Sequence, residues 1–254
     1  MKANYLPTKY WFEDDCLHRA YFNYEEDCFD SPRDWDNMTV IVNASKYCIC
    51  GNTDIQTDNI EEWLIEATGI NPEWYERQKN YGIDELINKF IKEKCAAFAF
   101  LNIYEHSGIS IHCGLASGWD YSNIGFVYIP KDHAEVKSYR KTHTLAETKE
   151  WADKILHSDI KILDDYMTGQ VYCLVHETFD KESQEWDMTD SLGDIYLTAE
   201  TTQEEIDIAL SYIKDYYSGD NKFFEEKEVE KAIEENTLDI LNGQIAFDFM
   251  EVTA

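Results

Sequence analysis

Charge is distributed so unevenly along this chain that it dictates where a core can form. From Cys95 to His157 there are 7 acids and 6 bases, whereas Ser158 to Ala254 holds 25 acids and 6 bases. A segment as acidic as the second cannot be buried whole, because an unpaired charge in an apolar interior costs more than burial returns. The near-neutral block should therefore supply the buried sheet. The acidic segment should surround it as helices with one solvated face. Over all 254 residues, 51 acids against 22 bases give a net charge of −29. A field of that sign repels nucleic acid and anionic lipid and attracts basic surfaces. Halophilic adaptation accounts for it poorly, since 18 of the 22 bases are lysine and isoleucine is abundant.

A hydrophobic content of 44% with 14% aromatics belongs to a folding chain, not a disordered one. The longest apolar run, Cys95 to Tyr104, is far short of the ~20 residues a membrane span needs. The first residues, "MKANYLPTKYWFEDDC", place acids where a secretory signal needs an apolar stretch. Both features predict a cytoplasmic protein with no membrane partner. Seven cysteines, at 16, 28, 48, 50, 95, 113 and 173, are odd in number and scattered. Cys48 and Cys50 have no second pair at metal spacing, so the cysteines read as reduced thiols.

Patterning along the chain gives an α+β fold. "RAYFNYEEDCF" and "MTVIVNAS" read as strands flanking the turn "SPRDWDN", residues 31–37. Helical periodicity follows from Asp58 to Lys94, with Asp58 or Asn59 as an N-cap, Gly69 as a stop and Asn71-Pro72 as a second start. The near-neutral block then reads as strands, with Phe98, Phe100, Ile103, Phe126 and Tyr128 expected inside. "LAETKEWADKILHS" and "SDIKILDDYMTG" are helical, and "QVYCLVHETF" with "EWDMTDSLGDIYL" forms a late hairpin. Two acidic amphipathic helices close the chain. The expected architecture is a central antiparallel sheet with covering helices: a core over residues 1–200 and an acidic helical C-terminal addition over 201–254 packed on it.

Four motifs recur in order: "SPRDWDN", "YEHSGISI", "WDYSNIGFVYI" and "YMTGQVY". Together they resemble an uncharacterised family of acidic proteins from phages and conjugative elements of low-GC bacteria. The matching positions are Ser31, Pro32, Arg33, Trp35, Asp36 and Asn37; then Tyr104, His106, Ser107 and Gly108. Trp119, Asp120, Ser122, Gly125, Phe126 and Tyr128 follow, with Tyr166, Thr168, Gly169, Val171 and Tyr172 last. Glu105 stands where the pattern has aspartate and Asn123 where it has glycine, and the acidic C-terminal segment lies outside the likeness. The resemblance implies a mobile-element setting inside a bacterial host and no particular reaction.

Within SPRDWDN, Arg33, Asp34, Asp36 and Asn37 can line a polar site. Equally, Pro32 can fix the turn, Asp36 or Asn37 can bond its own backbone, and Trp35 can anchor the loop in the core. His106, His112, His133 and Asp120 are the residues a metal- or histidine-dependent hydrolase would use, but no zinc-protease, nucleophile-elbow or phosphate-loop motif accompanies them. Asp187, Asp190 and Asp194 lack the spacing of a calcium loop. None of these motifs asks for a cofactor. The C-terminal acids form the larger set: Glu204, Glu205, Asp207 and Asp215 on one helix, and Glu226, Glu228, Glu230, Glu234 and Glu235 on the next. Acids one turn apart lie ~5 Å apart along a helix, and duplex DNA advances ~3.4 Å per phosphate on a strand. The expected function is therefore an inhibitor, with no enzymatic activity, that binds a basic nucleic-acid-binding host protein and does not itself bind nucleic acid. A hydrolase centred on His106 and Asp120, and a structural or regulatory phage protein, are the alternatives.

Overall fold

The computed structural model describes residues 6, 8–13, 15–24, 31–45, 51–78, 82–106, 108–198, 201–212 and 223–241. In chain order the elements are β1 (Lys9–Glu13), β2 (Cys16–Asn23), a 3-10 turn (Pro32–Asp34), β3 (Val40–Asn43), β4 (Ile55–Gln56), α1 (Ile60–Thr68), α2 (Pro72–Arg77) and α3 (Ile83–Lys94). They continue with β5 (Cys95–Glu105), β6 (Ile109–Cys113), β7 (Tyr121–Pro130), α4 (Ala134–Tyr139), α5 (Leu145–Met167), β8 (Val171–Asp180), β9 (Glu185–Tyr196), α6 (Gln203–Ser211) and α7 (Glu226–Glu234). Contacts divide the chain into two units, one of Met1–Phe29 with Gln170–Ala254 and the other of Asp30–Gly169. That division falls elsewhere than residue 200.

The second unit holds the near-neutral block and a five-stranded sheet ordered β4-β3-β7-β5-β6. All its pairings are antiparallel except β3 with β4. Side chains alternate across a strand, and both faces of this sheet are covered. On one face Ile41, Leu101, Ile103, Ile111, Val127 and Ile129 pack against Ala152, Leu156, Ile160 and Leu163 of α5. On the other, Val42 and Phe126 meet Leu64, Tyr75, Leu86, Ile87 and Phe90 from α1 to α3. Ile103 and Phe126 are buried as expected, and Phe98, Phe100 and Tyr128 pack half-buried against the second face. At Gly125 (φ +149°) a Cβ would lie 1.9 Å from the Val42 carbonyl oxygen, so only glycine lets β3 approach β7 there.

Local signals account for the helix ends. Asn59 accepts from the Glu61 and Glu62 amides, Gly69 closes α1 in the left-handed conformation, and Asn71 accepts from the Trp74 amide with Pro72 behind it. Thr144 and Glu147 cap each other at the start of α5. The two helical stretches read between Leu145 and Met167 are one 23-residue helix, because no glycine or proline separates them.

The first unit is a four-stranded antiparallel sheet, ordered β1-β2-β8-β9. The strands on either side of SPRDWDN therefore do not pair with each other. β2 pairs with β8, in the other arm of its unit, and β3 pairs with β7. Trp11, Ala20, Phe22, Tyr172 and Leu174 face α6, with Ile206 and Ala209 buried against them. Tyr10, Phe12, Leu17 and Phe179 face the opposite way, onto Val229 and Ala232 of α7. The two acidic helices thus cover opposite faces of one sheet. No described helix is long and apolar enough to cross a membrane. The four cysteines among the described residues, Cys16, Cys95, Cys113 and Cys173, are free thiols, and Cys28, Cys48 and Cys50 lie outside those residues.

Candidate functional site

SPRDWDN is tied down by its arginine, not its tryptophan. Arg33 is 2% exposed. Its Nε donates to Asp54 Oδ2 at 2.8 Å and its Nη2 to Asp54 Oδ1 at 2.5 Å, while Nη1 reaches Thr39 Oγ1 at 2.9 Å. Asp54 also accepts from the Ile41 and Gly51 amides, so both carboxylate oxygens are fully engaged. Thr39 passes the network on by donating to Asp159 at 2.8 Å; burial pushes the Asp159 carboxyl up, against the opposing pull of Thr39 and Arg33. Gly51 is packed so tightly that a Cβ would sit 1.9 Å from the Arg33 carbonyl oxygen. Trp35, expected in the core, is 39% exposed, and Asp34 and Asp36 are exposed beside it. Asn37 donates to the Pro32 and Trp35 carbonyls and closes the turn.

The histidine motif stands at the far end of the same sheet. Val40 pairs with Tyr128 and Tyr104 with Tyr121. The two motifs are thus about seven residues apart along β7, ~24 Å at ~3.4 Å per residue. His106 Nδ1 lies 3.7 Å from Asp120 Oδ2, with both side chains well exposed. An exposed pair gains little from the high-dielectric surroundings and is a poor place to tune an acid–base group. Ser107 lies outside the described residues, and Trp119 is fully solvent-exposed.

The other histidines have separate local tasks. His133 accepts from the Glu135 amide at the start of α4. His112 Nε2 is 2.9 Å from Ser110 Oγ, which donates to Asp164 at 2.7 Å. Here the serine sits between histidine and aspartate, and its proton is directed at the carboxylate. That is the wrong order for a nucleophilic triad, in which the histidine stands in the middle. Asp187, Asp190 and Asp194 are exposed along the edge strand β9. Among the described residues no group of three or more histidine, cysteine or carboxylate side chains is placed to hold a metal.

A buried histidine cluster went unread in the sequence. His18 Nδ1 is 3.1 Å from His176 Nε2, and the Trp11 ring stacks 5.3 Å from each imidazole. Burial, then the neighbouring His18, lowers the His176 pKa below 6.5, while Asp190 and Glu177 pull it back only in part. An imidazole held neutral when folded takes up its proton more readily when unfolded, so acid favours unfolding. The first unit should lose stability as pH falls below 6.5, before its carboxylates begin to titrate near pH ~4.5. Urea midpoints measured across that range should slope for the native protein and flatten in His176→Gln. A native profile already flat would contradict the assignment.

The C-terminal carboxylates divide into two sets. On α6, Glu204, Glu205 and Asp207 are exposed, and Ile206 and Ala209 form the buried side. Glu205 is held in a capping box with Thr202, whose hydrogen bonds lower its pKa. Asp215 lies outside the described residues. On α7 and its C-cap, Glu226, Glu228, Glu230, Glu234 and Glu235 are all exposed. Glu226 accepts from the Tyr10 hydroxyl at 3.3 Å, and Glu228 accepts from the Glu225 amide. Glu235 has Lys231 3.9 Å away as a distant counter-charge. Because α6 and α7 lie on opposite sheet faces, the structure does not bring their acids into one patch. The unbroken apolar triplet Tyr10-Trp11-Phe12 is the sequence sign of a strand buried on both faces.

The first unit as a whole has 28 acids and 8 bases, against 23 and 14 in the second. Comparison with protein-family models, curated proteins and solved structures finds no match for this chain.

Proposed function

We propose that this protein is a mobile-element-encoded anti-defence inhibitor that occupies the basic nucleic-acid channel of a host nuclease, of the CRISPR-effector or restriction class. The observation that carries this reading is the set of five exposed glutamates on α7 and its C-cap, of which Glu226, Glu230 and Glu234 follow one another a turn apart, in a unit where acids outnumber bases by more than three to one. Carboxylates one helical turn apart approximate the spacing of backbone phosphates. They can therefore compete for lysine and arginine side chains that otherwise hold DNA or RNA. Complementary fields of this kind raise the rate of encounter and select against acidic partners. The resemblance of the four motifs to proteins of phages and conjugative elements supports the setting.

The test is a binding titration against a basic host nuclease at graded salt. Affinity should fall steeply as salt rises, because opposite fields are screened within ~8 Å at physiological ionic strength. The target's own DNA or RNA should displace the protein, which alone should retain neither nucleic acid. Simultaneous binding of protein and nucleic acid to the nuclease would contradict mimicry.

A further inference from the structure

The second unit contains a cavity of about 740 Å³ over the start of β5, a volume typical of small-molecule sites. The last turns of α3 form one wall and the first turns of α5 the other. A bulge between Cys95 and Ala97 takes Ala96 out of register with β7, the kind of irregularity that re-aims side chains beside a site. Phe98, Ile91 and Leu145 give the cavity an apolar lining, and Leu145 at its rim is 54% exposed.

Three lysines also line it: Lys92, Lys131 and Lys149. In a chain with 51 acids and 22 bases, positive groups should find carboxylates easily. Lys89, Lys154 and Lys161 do, each pairing with an acid one turn away on its own helix. Among the described residues Lys92, Lys131 and Lys149 make no ion pair. Of the two acids in the wall, Glu150 is paired with Lys154 at 2.8 Å, so the three lysines face a single further carboxylate, Asp153. Lys131 is also held in place, because its Nζ donates to the Lys92 carbonyl at the end of α3. An ammonium has three donors, so this bond leaves two for a ligand.

We propose that this cavity binds a small amphipathic anion, with an apolar body on Phe98, Ile91 and Leu145 and a carboxylate, sulfonate or phosphate head among Lys92, Lys131 and Lys149. Binding is reversible: burial pushes the Cys95 thiol in the floor up to about 12, and a neutral thiol is not a nucleophile. Nothing in the proposal depends on how the acids of the first unit are used.

Fluorescence titration with anilinonaphthalene sulfonate tests it, with phenylnaphthylamine as the same ring system lacking the anion. The sulfonate should saturate about one site per chain and bind at least about tenfold more tightly than its neutral counterpart, since each ammonium acts on it at short range. Dodecyl sulfate should displace it. Lys131→Glu with Lys149→Glu should abolish binding while the protein still unfolds cooperatively, with a melting temperature close to that of Lys131→Ala, which loses the same bond to the Lys92 carbonyl, and the arginine versions should keep binding. Leu115→Ser with Trp119→Ser, on the exposed β6–β7 loop, should leave binding unchanged. Equal affinity for the two probes, survival of binding in the double reversal, or no saturable binding would each overturn the site.

Discussion

Arg33→Ala should destabilise the second unit by ~3–5 kcal/mol, the usual cost of removing one partner from a buried, hydrogen-bonded ion pair. The reason lies in what remains behind. Asp54, with its side chain wholly buried, would keep the Ile41 and Gly51 amides but lose its only described cation. Thr39 would lose the donor that orients its hydroxyl toward Asp159. Asp54→Ala should cost a similar amount, because it strands a guanidinium 2% exposed and two backbone amides together. Trp35→Ala, by contrast, should cost the least of the three, as its indole is 39% exposed and its removal strands no buried charge. Urea unfolding of the three variants ranks them directly. A Trp35 variant as damaged as the Arg33 variant would show that the indole, not the ion pair, holds the turn.

That ranking also shows where sequence reading stops. The SPRDWDN turn is legible because proline and asparagine act on their own neighbours. The identity of its anchor is not, because Asp54 and Asp159 are brought in by the sheet and by α5, far away in the chain. The same divide runs through the fold. Caps at Asn59, Asn71 and Thr144 are local chemistry and appear where such residues occur. The near-neutral block becomes a sheet because few charges oppose its burial. Strand pairing is a different matter. β2 finds β8 instead of β3, because either strand can satisfy its backbone hydrogen bonds and local pattern carries no partner. His106 and Asp120 do meet, but at the surface, where proximity confers little chemistry. His18 and His176 meet in the interior through the β2–β8 register, which spacing along the chain cannot reveal.

Reversing Glu226, Glu228, Glu230, Glu234 and Glu235 to lysine should weaken the complex with a basic nuclease by orders of magnitude. The size follows from geometry. Five carboxylates crowd one short helix, Glu226, Glu230 and Glu234 along one flank and Glu228 and Glu235 along the other, and each reversal replaces an attraction with a repulsion. Stability should respond far less, since all five are exposed and exposed pairs contribute at most ~1 kcal/mol each. Two positions need their own control. Glu226 meets the Tyr10 hydroxyl and Glu228 caps the Glu225 amide, so lysine there also opposes the helix dipole. Glutamine at both keeps an acceptor while removing charge, and should lower affinity without lowering the melting temperature. Because α6 covers the opposite sheet face, a partner groove that holds α7 is directed away from Glu204, Glu205 and Asp207. Reversing those three should cost much less, which turns the sheet itself into an internal control. Loss of affinity in both sets alike would indicate general attraction to a strongly negative molecule. Loss confined to the α6 set would place the docking face on the other side. Full potency after all five α7 reversals would sink phosphate mimicry by that helix.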